Sequence, residues 1–207
     1  MRQFNGSRAT TYARDLGDAC RQMQQHKKRI VAICGMPGAG KGVAAAAAKQ
    51  LGLEVLVLGD VIREETERRG LEPTPKNVGN VMLQVRADEG PAAVARRLLP
   101  KVEAIQSSTV AIEGIRSLRE LEEIKSKFEA TTIAIHASPK SRFQRLLSRN
   151  RSDDPKTWEV FYERDTRELD VGLGQVIALA DMILVNEGTI TELQSKFKEF
   201  VAKLNVQ

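Results

Sequence analysis

Apolar residues fall into two patterns along the chain: short continuous runs, and longer stretches with helical spacing. The runs at 30–34, 53–58, 109–112, 131–136 and 182–185 read as strands, short and nearly continuous as strands buried on both faces are. Between them the spacing predicts helices over 42–50, 60–70, 76–87, 91–106, 117–128, 139–149, 157–168 and 173–180, and a last amphipathic helix over 190–203. Breaks at Gly52, Glu72-Pro73-Thr74-Pro75 and Gly90-Pro91 separate several of them. Five strands, each followed by helix, predict a three-layer α/β fold around a five-stranded parallel sheet. There is no repeat, and no apolar run approaches the ~20 residues needed to span a bilayer.

Composition changes this picture at one end only. The 207 residues carry a net charge of +5 and have a pI near 9.3, which invites a nucleic-acid reading. Residues 1–29 hold seven bases and two acids, so the rest of the chain is neutral, with 25 of each. With 4% aromatic residues, the body lacks a base-stacking surface, and nucleic acid is not an expected partner for it. The chain divides into a basic N-terminal extension, 1–28, and a domain over 29–207. Tyr12, Leu16, Cys20 and Met23 predict a short helix in the extension. The extension reads as a helix or tail resting on the body, as an organelle presequence, or as an arm for a partner or nucleic acid. Cys20 and Cys34 do not make a disulfide framework. Cys34 reads as a buried structural thiol, in keeping with a cytoplasmic protein.

Gly35-Met36-Pro37-Gly38-Ala39-Gly40-Lys41 lies between the first strand and the first helix of the body. Glycines there let backbone N–H groups converge on phosphate oxygens, the helix N-terminus adds partial positive charge, and Lys41 reaches the outer phosphates. The alternative is a merely structural glycine turn. Gly42 and Val43 follow the lysine, so the hydroxyl that commonly ligates Mg²⁺ is missing. The metal would rest on phosphate oxygens, water and acids elsewhere. Residues 35–43 are the expected nucleotide contacts: Gly35, Met36, Pro37, Gly38, Ala39, Gly40, Lys41, Gly42 and Val43.

With the loop reading GMPGAGKG, the chain resembles the nucleoside monophosphate kinase group of P-loop proteins over about residues 29–204. Adenylate kinases also place Gly after the lysine, but usually follow it with Thr where Val43 stands. The segments GDVIREE, EGIRS, HASP, RSDDP and ADMILVNEGT make the body similar to a family of archaeal P-loop kinase-like proteins related to adenylate kinase and dephospho-CoA kinase. The resemblance implies sheet order 2-3-1-4-5, ATP with Mg²⁺ on the loop, acceptor-binding helices at about 60–106 and a lid at about 145–165. It names no acceptor.

Residue by residue, Gly59-Asp60-Val61-Ile62-Arg63 resembles the Gly-Asp-x-x-Arg of adenylate kinases, which implies that Arg63 holds an acceptor phosphate. A forked guanidinium suits that contact. Asp60 reads as a helix N-cap, as an acceptor contact or, by similarity to dephospho-CoA kinases, as a base near an acceptor hydroxyl. Glu113-Gly114-Ile115-Arg116 stands where adenylate kinases carry Asp-Gly-x-Pro-Arg, implying Arg116 on the acceptor phosphate. The spacing is one residue shorter here, so contacts to an acceptor base do not carry over. Glu113 reads as a carboxylate organising Mg²⁺-bound water, or as a salt-bridge partner.

Lys140, Arg142, Arg145, Arg149 and Arg151 then put five positive charges in twelve residues. Lys140 and Arg142 read as a solvated helix face. Arg145 and Arg149 share a face and match the Arg-x-x-x-Arg of nucleotide kinases, while Arg151-Ser152-Asp153-Asp154 matches the Arg-x-Asp-Asp of their lid. The resemblance implies that Lys41, Arg116, Arg145 and Arg149 stabilise the transferring phosphoryl group. Arg164 or Arg167 would add a further phosphate arginine. Asn186-Glu187-Gly188-Thr189 passes the nucleotide base or is a turn and helix cap. His136 reads as a core histidine and Trp158 as a packing anchor. The expectation is an ATP-dependent kinase acting on a nucleotide or nucleotide-like acceptor. A dephospho-CoA-type hydroxyl kinase and a nucleotide-binding regulator or slow NTPase remain as alternatives.

Overall fold

The computed structural model describes residues 28–150 and 154–204. The helix expected in the extension, and Arg151, Ser152 and Asp153, lie outside the described residues. Strands β1 (Arg29–Cys34), β2 (Glu54–Val57), β3 (Thr109–Ile115), β4 (Glu129–His136) and β5 (Met182–Val185) form one sheet in the order β2-β3-β1-β4-β5. Every pairing is parallel. β1 is central, so its C-terminal end opens between β3 and β4, where connections leave to opposite sides of the sheet. Crevices at such switch points are where open α/β sheets bind ligands.

Alternation along β1 builds two cores, because successive side chains point to opposite faces. Val31 and Ile33 pack with Ala44, Ala47 and Ala48 of α1 (Lys41–Gln50) and with Phe197 and Val201 of α9 (Ile190–Leu204). The alanines carry no bulk beyond Cβ, which lets α1 lie close to the sheet. Ile30, Ala32 and Cys34 face the second core. It is covered by α2 (Leu58–Arg68), α3 (Pro75–Glu89), α4 (Ala93–Ala104), α5 (Leu118–Lys127) and α8 (Leu173–Ala178). Each fully buried Leu, Ile or Phe contributes about 1.5–3 kcal/mol. Burial pushes the Cys34 thiol up to about 12, so it stays protonated and inert.

Two helices complete the described residues. In α6 (Pro139–Arg149) and α7 (Trp158–Asp170), Phe143, Trp158 and Phe161 form an aromatic cluster with ring centres 5.1–5.4 Å apart. Trp158 packs there while remaining 45% exposed.

Some expectations need correction. β3 runs on through Glu113-Gly114-Ile115 rather than ending at 112. Ile33 pairs with Glu113 and Cys34 with Ile115, leaving Gly114 as a bulge with φ +96°. The bulge interrupts the apolar run and hid the strand end. His136 is exposed at the end of β4, not in the core. Asp60 is not an N-cap: α2 starts directly off β2 with Val57 in the cap position, and Asp60 lies in the first turn.

Candidate active site

The loop from Gly35 to Gly40 takes its shape from backbone that other residues could not adopt. Gly38 has φ +78°, and a Cβ there would lie 2.7 Å from the Arg142 carbonyl oxygen. Gly40, φ +111°, is the residue in the cap position of α1 and would drive a Cβ into the Asn186 side chain. No side chain caps α1 and no acid stands in its first turn. Its leading N–H groups are therefore available to an anion.

Lys41 Nζ folds back onto the loop, donating to the carbonyls of Gly35 at 2.7 Å and Met36 at 3.3 Å. Burial lowers its pKa to about 8, while Glu113 and Glu168 raise it and Arg116 and Arg164 lower it further. A cation held this way gains most from an incoming anion. A cleft of about 380 Å³ opens over it, lined by Lys41, Glu113, Arg145, Arg149, Asn186 and Gly188 among others. The β3 bulge sets Glu113 at its edge. Gly42 also lines the cleft, and a Cβ there would meet nothing within 4 Å.

Of the α6 arginines, Arg145 Nη2 donates to the Asn186 carbonyl at 2.8 Å. Its Nη1 is buried without a hydrogen-bond partner, a costly state that an anion or nucleotide oxygen would relieve. Arg149 bonds Asp154 through Nε at 2.9 Å and through Nη2. Arg164 approaches the same buried carboxylate at 3.7 Å. Asp154 thus gathers two arginines; of the two alternatives on α7, Arg164 is turned to this carboxylate and Arg167 is exposed. Asn186 braces the loop directly, its Nδ2 donating to the Ala39 carbonyl at 2.8 Å.

The expected acceptor residues lie toward β2 and β3. Arg63 pairs with Asp60 on an exposed face of α2. Arg116 follows β3. Its N–H donates to Glu120 at 2.8 Å, and its guanidinium sits between the Met82 sulfur at 3.7 Å and Glu168 at 3.4 Å. Glu120 also accepts from Arg86 at 2.6 Å. The sequence reading missed Glu168, which the chain fold alone brings to Arg116. It also misjudged Arg142, which is buried rather than solvated. Its signal was faint: position 142 falls four residues before the apolar Leu146, on the inward face of α6. Among the described residues no group of three His, Cys, Asp or Glu side chains is placed to hold a metal by itself.

The chain as a whole has relatives among known proteins. A family model for an AAA domain matches residues 34–161. A UPF0200 protein of Pyrococcus furiosus is 48% identical over 180 residues, covering 84% of this chain and 97% of the relative. The chain belongs to the UPF0200 family. In fold it is similar to TT1252 from Thermus thermophilus, at TM-score 0.60 and 21% identity, covering 86% of this chain and 98% of that one. It is likewise similar to shikimate kinase from Bacteroides thetaiotaomicron, at TM-score 0.56 and 17% identity, covering 84% and 98%. The protein is a P-loop, kinase-like α/β domain of the three-layer type.

Proposed function

We propose that this protein is an ATP-dependent phosphotransferase acting on a nucleotide or nucleotide-like small molecule. The observation that carries the reading is the cleft itself. It joins the uncapped start of α1, Lys41, Glu113, Arg145 and Arg149 around one space. The loop N–H groups and Lys41 would hold the triphosphate, with Asn186 and Gly188 toward the base. Arg145, Arg149 and Arg164 would offset charge developing on the transferring phosphoryl group, where preorganised cations act most strongly. Mg²⁺, with Glu113 as the cleft carboxylate that would hold it through water, would neutralise phosphate charge.

On the acceptor side, Arg63 and Arg116 supply the guanidinium groups that a phosphorylated acceptor needs. The Asp60 carboxylate is engaged by Arg63, which supports an orienting role for it over that of a base for a hydroxyl. A slow NTPase without a small-molecule acceptor is the second reading, favoured by the absence of a hydroxyl at Gly42 and Val43.

ADP formation measured with and without a panel of nucleoside monophosphates and related phosphorylated compounds tests the proposal. One acceptor should raise turnover well above the basal rate. Lys41→Ala should reduce that turnover about 10³-fold in a folded protein. Turnover that no acceptor raises would leave the slow-NTPase reading in its place.

A further inference from the structure

Arg142 is a buried cation that the proposed chemistry leaves unused. It is 3% exposed, yet each nitrogen of its fork donates a hydrogen bond. Nε donates to the Ala137 carbonyl at 3.2 Å, and Nη1 donates to the Pro37 carbonyl at 3.1 Å and to Asp165 Oδ1 at 2.8 Å. Nη2 donates to Asp165 Oδ2, and the guanidinium carbon lies 4.9 Å from the centre of the Phe161 ring. Stability alone is a poor account of such a group, because well-packed apolar side chains often replace a buried ion pair without loss.

What the pair connects is more telling. Pro37 belongs to the phosphate loop, and Gly38 beside it is pressed against the Arg142 backbone. Asp165 sits on α7 between Arg164, which approaches Asp154 at 3.7 Å, and Glu168, which pairs with Arg116 at 3.4 Å. The geometry points to Arg142 and Asp165 as a positioning pair. It links the phosphate loop to α7, so that nucleotide on the loop fixes where α7 holds Arg164 and Glu168. Phosphate binding draws on the loop N–H groups and so bears on the Pro37 peptide, whose carbonyl Arg142 holds. The bidentate pair carries that constraint to α7 with little freedom of angle. This inference rests on the phosphotransferase reading and adds to it a link between donor site and lid-side helix.

The molecule contains its own reporter. Trp158, the only tryptophan, begins α7 and packs 5.1 Å from Phe161, the ring beneath Arg142. The test uses the full chain with Mg²⁺, a fluorescent ATP analogue and ATP. Asp165→Asn keeps shape and removes charge, and Arg142→Met removes the fork. Asp181→Asn, which weakens a carboxylate contact to the Thr132 N–H at 2.7 Å, serves as a structural control.

ATP should change Trp158 emission in the unsubstituted chain and in Asp181→Asn. In Asp165→Asn and Arg142→Met that change should fall by about half or more, and basal ATP hydrolysis should lose about tenfold in kcat. Analogue affinity and KM should stay within about threefold, the split expected when positioning rather than binding is lost. Circular dichroism checks folding, and if Arg142→Met does not fold, Asp165→Asn decides alone. Folded variants that keep the full emission change and kcat within about twofold overturn the inference while leaving the phosphotransferase reading intact. Failure of the analogue to bind the unsubstituted chain overturns both.

Discussion

The phosphate loop and the proposed acceptor side, toward β2 and β3, are built from different materials. At the donor end the backbone does the work: a loop shaped by glycines in the left-handed region, an uncapped helix start, and Arg142 buried against the Pro37 carbonyl. On the acceptor side the candidate groups are side chains, Arg63 and Asp60 on an exposed helix face, each 55% exposed, and Arg116 just after β3. A surface ion pair of that kind is worth about 0–1 kcal/mol, so an acceptor phosphate displaces it cheaply. A loop whose glycines are in contact with α6 and Asn186 cannot be altered without disturbing the packing around it. On the proposed function, the difference would leave a common phosphate chain to rigid backbone and the choice of acceptor to side chains free to re-pair.

That contrast can be broken most severely at Gly38. Gly38→Ala would place a Cβ 2.7 Å from the Arg142 carbonyl oxygen at φ +78°, and strain at such a position costs about 1–3 kcal/mol. Loss of measurable ATP binding together with a lower melting temperature is expected; unchanged nucleotide affinity would mean that the loop is not rigid. Arg116→Met acts on the other side. Acceptor KM should rise about 10–100-fold while ATP affinity, by titration, moves less than about twofold.

The third effect is a pH dependence. Lys41 has a folded-state pKa of about 8, below its ordinary 10.5, and bound phosphate would raise it again. Affinity for ATP is therefore full below about pH 8 and weakens as pH rises above it, by up to about tenfold per unit. Titrations between pH 7 and 10 should show this slope, and Lys41→Met should flatten it. The same depressed pKa means that the empty protein loses stability as pH falls from about 10.5 through 8, since the unfolded chain takes up the proton first. The smallest effect is expected at Gly42, where a Cβ meets nothing within 4 Å. Gly42→Ser should alter stability by less than about 0.5 kcal/mol. A gain in Mg²⁺-dependent turnover there would sharpen the comparison by showing what the missing hydroxyl withholds.

Most of the architecture was legible in advance: the five apolar runs mark the five strands, and the order 2-3-1-4-5 implied by the family resemblance is that of the sheet. Where the reading failed, a local signal was masked or a distant residue intervened. The β3 bulge put Glu and Gly inside a strand, and both residues ordinarily mark its end. His136 continues an apolar run but stands at the rim of the sheet. Arg142 lies in a run of positive charge that suggests solvent, and its burial is made tolerable by Asp165, 23 residues on, together with the Pro37 and Ala137 carbonyls.

Local sequence by itself determined the phosphate loop. Its glycines, its lysine and the strand and helix flanking it are contiguous, and the positive-φ turns of Gly38 and Gly40 are ones that glycine adopts without strain. Tertiary structure alone decided which charges meet around the phosphate loop, α6 and α7. Asp154 gathers Arg149 and Arg164, Glu168 meets Arg116, and Arg142 is tied to both Pro37 and Asp165. Such pairings depend on distances between helices that packing sets, and no spacing along the chain encodes them.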